Sequence, residues 1–146
     1  MGWRRLNRDA PPGQLRRSAA SLNDMNNSGN NQGYFCRIVG EQRSTVSFVM
    51  DYLQLQCDPH FLTVLTPLTV LIAENSYRLG DLHYRDVLCE RIAHKVTDVL
   101  LHPDHLRIGF DDNACFDISL SEEDYVGPEA INFQFPEEGR MQLLVI

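Results

Sequence analysis

The chain has 146 residues, of which 43% are hydrophobic and 23% charged, and carries a net charge of -7. These proportions suit one globular domain with its own core, and a second full domain is not expected. Its apolar runs stop short of the roughly 20 residues that a membrane-crossing helix needs, and Met1-Gly2-Trp3-Arg4-Arg5 leads into polar residues and Pro11-Pro12 rather than an apolar stretch. Neither a membrane span nor a secretory signal is therefore read, and a cytoplasmic location is expected.

Residues 1–33 are rich in Asn, Ser, Gly and Pro and poor in large apolar groups, so they are expected to form a disordered leader; a natural start at Met25 would remove most of it. The domain is placed at residues 34–146. Short apolar alternations predict strands near 45–51, 53–57, 61–66 and 69–73, with Asp58-Pro59-His60 as a tight turn. Tyr84, Val87, Leu88, Ile92 and Val96 recur at helical spacing, which predicts one helix over 83–95 behind a Gly80-Asp81 break and cap. Residues 131–135 and 141–145 flank Pro136-Glu137-Glu138-Gly139 as a final hairpin.

The second half echoes the first. Val46-Ser47-Phe48-Val49 matches Val96-Thr97-Asp98-Val99; Leu53, Leu55 and Cys57 match Leu106, Ile108 and Phe110; and Leu65 matches Ile118. The offset grows from 50 to 53, which implies a longer first turn, His102-Pro103-Asp104, in the second copy. The expected fold is α+β, mostly antiparallel β: a duplicated three-strand meander joined by one helix, plus a C-terminal hairpin.

Charge is unevenly placed. Residues 1–33 hold five Arg against two Asp, whereas residues 96–146 hold eleven acidic groups against Arg107 and Arg140. An acidic folded part lacks the basic face that neutralises phosphates, so a nucleic-acid partner is not expected and a basic protein partner is.

The stretch 88–130 carries Val96-x-x-Val99, Leu106-x-Ile108-x-Phe110-Asp111-Asp112, Ser119-Leu120 and Glu123-Asp124-Tyr125-x-Gly127-Pro128-Glu129-Ala130. It resembles a group of small, uncharacterised bacterial proteins that look like accessory or immunity proteins found near secreted toxins. The resemblance covers about a third of the chain and implies no catalytic residues. Asn113 stands where that pattern has Gly in the turn, and Asn tolerates the positive φ required there.

Candidate chemistry is sparse. His102-Pro103-Asp104-His105 with His60 or His94 offers imidazoles but no recognised ligand spacing, and Asp111-Asp112 with Asp117 lacks the alternating acids and Gly of a calcium loop, so no metal or other cofactor is expected. Cys36, Cys57, Cys89 and Cys115 form no C-x-x-C pair and read as reduced, buried thiols. No phosphate-cradling Gly loop or nucleophile elbow is present, so catalysis is not expected. The expectation is stoichiometric binding of a macromolecule, of the immunity type, in which Asp111, Asp112, Glu122, Glu123 and Asp124 face a basic partner and Tyr125 anchors it. The rival is a small enzyme or ligand-binding protein with a cavity between the meanders, lined by His94, His105 or Tyr125.

Overall fold

The computed structural model describes residues 30–146 and a two-residue strand at Arg4–Arg5. It is mostly antiparallel β in two sheets with short helices. In chain order the elements are β1 (Arg4–Arg5), helix α1 (residues 30–35) running into a 3-10 turn at Cys36–Ile38, β2 (Thr45–Val49), β3 (Tyr52–Cys57), β4 (His60–Val64), β5 (Leu68–Ile72) and β6 (Asn75–Tyr77). There follow helix α2 (Tyr84–Glu90), β7 (Val96–Leu101), β8 (His105–Phe110), β9 (Cys115–Ser119), a 3-10 turn at Glu122–Asp124, β10 (Ile131–Glu137) and β11 (Arg140–Val145).

The domain begins earlier than the expected Tyr34. Asn31 is buried, and Gln32 donates to the Val99 carbonyl at 2.7 Å, which ties α1 to β7. The backbone of Arg4–Arg5 pairs in parallel with β11. The remainder of the leader, with the expectation of disorder attached to it, lies outside the described residues.

One sheet has the order β1-β11-β10-β4-β3-β2 and the other β6-β5-β9-β8-β7. Each half thus supplies a meander, β2-β3-β4 or β7-β8-β9, and sends its closing hairpin to the other half's sheet: β5-β6 joins β9, and β10-β11 joins β4. The registers correspond. Leu68 faces Ile118 and Val70 faces Phe116 in one sheet, as Ile131 faces Val64 and Phe133 faces Leu62 in the other. Alternation puts one face of each strand inward, as in the buried Leu62 and Val64, Phe116 and Ile118, and Ile131, Phe133 and Phe135. Together with Phe35 and Ile38 at the first helical segment and Tyr84, Val87 and Leu88 from α2, these residues form one contiguous core.

Gln42 and Lys95 meet in an isolated antiparallel bridge, flanked by matched hydrogen bonds: Arg43 N to His94 O at 2.9 Å and Val96 N to Glu41 O at 2.9 Å. Exchanging residues 53 positions apart interconverts the two bonds. The same shift relates Phe35 to Leu88, both fully buried, and Gly40 to Ala93, both left-handed at φ +88° and +76°.

That shift corrects the expected alignment. Pairing of Val46 with Leu55 and of Val99 with Ile108 makes Val99, not Val96, the counterpart of Val46. The first turns have equal length, Met50-Asp51 and Pro103-Asp104, so the second half has no longer first turn. The extra residue falls in the next turn, Asp111-Asp112-Asn113 against Asp58-Pro59, and it shifts the counterpart of Ile118 from Leu65 to Val64. A Val-x-x-Val pattern fits either register, which is why sequence alone misplaced it.

The single helix expected at 83–95 is shorter and is one of two α-helices among the described residues. It spans Tyr84–Glu90, Ile92 is 39% exposed, and Val96 opens β7. The positive φ of Ala93 ends any helical continuation. Asp81 caps a turn instead of the helix, accepting from Arg78 N at 2.8 Å. Among the described residues no helix is long and apolar enough to cross a membrane.

Candidate functional site

The acidic residues singled out from the sequence fall into two patches at opposite ends of β9, a strand of five residues that spans about 17 Å. Asp111 and Asp112 sit in the β8-β9 turn. Asp111 Oδ1 lies 2.6 Å from His94 Nδ1 and its Oδ2 accepts from Lys95 N at 3.3 Å, and these bonds, the His94 one foremost, hold its carboxyl below the usual range. Asp112 Oδ2 lies 3.2 Å from Arg91 Nη1 and 3.7 Å from His94 Nε2, while its Oδ1 accepts from Ala114 N. Asn113 takes φ +65°, the conformation that the turn requires.

Glu122, Glu123 and Asp124 form the 3-10 turn beyond β9. Glu122 and Glu123 are exposed and make no ion pair among the described residues. Asp124 is half-buried and accepts from Ser119 Oγ at 2.5 Å, so it closes the loop and is less free to meet a partner than its neighbours. Tyr125 packs partly buried against the core, and Val126 beside it is 93% exposed. The expected single acidic face is thus two: one engaged internally, one open.

His94, Asp111 and Asp112 bring one ligand atom each to within 4.8 Å of one another, a set that could hold a divalent cation. Arg91 already places a positive charge on Asp112, so a cation would have to displace it. The other imidazoles do not join them. His102 and His105 stack at 4.4 Å between centroids, with His105 Nδ1 2.7 Å from Asp104 Oδ1, whereas His60 is buried, donates from Nδ1 to the Cys57 carbonyl and stacks on Phe133. His94 and His105 lie at opposite ends of β7, so they do not converge on one cavity between the meanders. A surface recess of 620 Å³ is lined instead by residues 79–86.

Two arginines missed in the sequence stand at the junction of the halves. Arg43 is 1% exposed; its Nε, Nη1 and Nη2 are shielded from solvent and have no hydrogen-bond partner, and its guanidinium lies 5.3 Å from the Phe116 ring centroid. Burial, the largest cause, and the nearby Arg91 charge bring its pKa down to about 10, against the opposing influence of the Cys57 and Cys89 thiols. Arg91 is also buried, and its Nε has no partner. In sequence, Gln42-Arg43-Ser44 reads as a polar loop. Only the 53-residue shift, which sets Arg43 against Val96 and Arg91 against Ile38, would have marked both as charged residues at apolar positions.

Comparison with protein-family models, with curated proteins and with solved structures finds no match.

Proposed function

We propose that this chain is a cytoplasmic, stoichiometric binding protein for a basic macromolecule, and specifically a bacterial immunity protein that covers the active or substrate-binding surface of a cognate toxin. The observation that carries this reading is the open acidic turn: Glu122 and Glu123 side by side and unpaired among the described residues, next to the bare Val126. Uncompensated carboxylates on an exposed turn set up a negative potential that steers a basic partner and speeds its encounter. Val126 then offers apolar contact, and Tyr125 a rigid aromatic edge. Such a protein acts by occupying a surface, without turnover. The same reading takes the two halves as copies of one duplicated meander unit, of which the second has acquired the acidic loop.

The test is a growth assay. A toxin-like reading frame encoded beside this one is induced with and without the present chain, and growth is expected to be restored only when the chain is present. Glu122→Lys combined with Glu123→Lys should remove protection at unchanged expression and melting temperature. Asp124 is left intact because Ser119 depends on it. Full protection by the double variant would overturn the assignment of this surface.

A further inference from the structure

We propose that Arg43 and Arg91 form a buried receptor for a small oxyanion, a phosphate or carboxylate group, at the junction between the two halves of the chain. Four guanidinium nitrogens there, Arg43 Nε, Nη1 and Nη2 and Arg91 Nε, are closed off from water and unpartnered. A guanidinium stays charged at neutral pH and cannot shed its donors. Burying it with an aromatic face beside it, the Phe116 ring for Arg43, but no acceptor for its donors is a costly arrangement, and such a group persists where something other than stability maintains it.

The internal correspondence of the halves shows that the fold does not require charge at either position. The counterpart of Arg43 is Val96 and that of Arg91 is Ile38, each a buried hydrocarbon side chain held by the same backbone pattern. Two independent departures from that correspondence therefore place two cations in one region. Only one of them is neutralised: Asp112, in the turn that is one residue longer than its counterpart, reaches Arg91 Nη1 at 3.2 Å and leaves Arg43 without an acid. Cys57 does not compensate, since burial holds its thiol protonated with a pKa raised to about 11. What is missing is one negative charge with two or more acceptor oxygens, which a guanidinium fork recognises in phosphate and carboxylate alike. The connector at residues 92–95 borders Arg43, its backbone bonded through Arg43 N to His94 O and Ala93 N to Arg43 O. Ala93 holds there a left-handed conformation that its counterpart assigns to Gly40, the kind of backbone strain found at ligand clamps.

The experiment follows thermal unfolding of the full chain in low-salt buffer titrated with sodium phosphate or sodium succinate, against sodium chloride at matched ionic strength. The wild-type midpoint should rise saturably by a few degrees with at least one oxyanion and not with chloride; which of the two acts identifies the group. Arg43→Met should melt higher than wild type without added anion and lose the oxyanion-specific rise. Arg43→Lys, which keeps the charge and loses the fork, should weaken the apparent affinity by at least about tenfold. The proposal is overturned by a wild type that responds to both oxyanions only as it does to chloride. It is equally overturned by an Arg43→Met protein that keeps the rise, or that melts lower or fails to fold, since Arg43 would then be structural.

Discussion

The Tyr84 hydroxyl donates to the Leu68 carbonyl at 2.8 Å, fastening α2 to the strand that leaves the first meander for the opposite sheet. Burial raises the Tyr84 pKa to about 12, so the phenol remains a donor across the whole neutral range. Tyr84→Phe keeps the ring and removes the donor, leaving a buried carbonyl short of a partner. The expected loss is about 1–3 kcal/mol, read as a lower urea midpoint at unchanged m value. A loss under about 0.5 kcal/mol would mean that water replaces the phenol and that this tie does little for the fold.

Gly40 and Ala93 occupy corresponding left-handed positions after the two helical segments, but only Gly adopts that conformation without steric penalty. Ala93→Gly should therefore stabilise the protein by about 0.5–1 kcal/mol, the relief of strain exceeding the entropy added to the unfolded chain. Gly40→Ala should destabilise it by about 1 kcal/mol. No side chain crowds Gly40, so backbone conformation alone sets the second effect. Equal melting temperatures for wild type and Ala93→Gly would show that Ala93 bears no strain.

The strands were legible because alternation reports which face of a strand is buried, and Leu62, Val64, Phe133 and Phe135 obey it. Sequential neighbours within each meander and the final hairpin followed from it, but the pairings between the two halves, β5 with β9 and β4 with β10, were not legible. The alternation of β5 is satisfied equally beside β4 or beside β9, and the exchange of hairpins between sheets is decided by the short crossing at residues 65–67 and the pairing of Leu68 with Ile118. The helix was overextended because Ile92 and Val96 continue the 3.6-residue spacing past a point where the backbone has already turned. Of the expected site, the exposure of Glu122 and Glu123 followed from composition. The engagement of Asp111 and Asp112 did not, because Arg91 and His94 approach them from another element.

Asp111 makes the protein sensitive to acid in a defined direction. Its folded pKa is depressed, chiefly by the His94 hydrogen bond and then by Lys95 N, while in the unfolded chain it returns to the ordinary value of about 3.9. A depressed folded pKa contributes stability that is present above the unfolded value and is lost as pH falls from about 4 through the lower folded one. Asp104 behaves alike through its bond to His105. Melting temperature should therefore fall from pH 5 toward pH 2, and Asp111→Asn should make that decline shallower while changing little at pH 2. Superimposable acid limbs for the variant and wild type would remove Asp111 from the account. Both carboxylates are exposed, so added salt should reduce the difference.

The cysteines should separate by reactivity, because the structure corrects the expectation that all are buried. Cys89 is exposed on α2, Cys36 and Cys115 are half-buried, and Cys57 is 3% exposed at the end of β3. Residues adjacent in a helix point about 100° apart, so the fully buried Leu88 does not carry Cys89 inside with it. The thiolate is the reactive form, and burial raises the Cys57 pKa to about 11 and also raises that of Cys115, whereas Arg43 and Arg107 respectively oppose those shifts. With a chromogenic disulfide reagent at pH 8, Cys89 should react first. Cys57 should react last, at least about a hundredfold more slowly, limited by opening of the protein. Cys89→Ser should remove the fast phase at almost unchanged melting temperature, whereas Cys57→Ala should cost about 0.5–1.5 kcal/mol by leaving space in the packed core. Denaturant should merge the phases. A Cys57 that reacts as fast as Cys89 in the native protein would show that the end of β3 opens locally, and the buried environment assigned to its neighbour Arg43 would have to be revised with it.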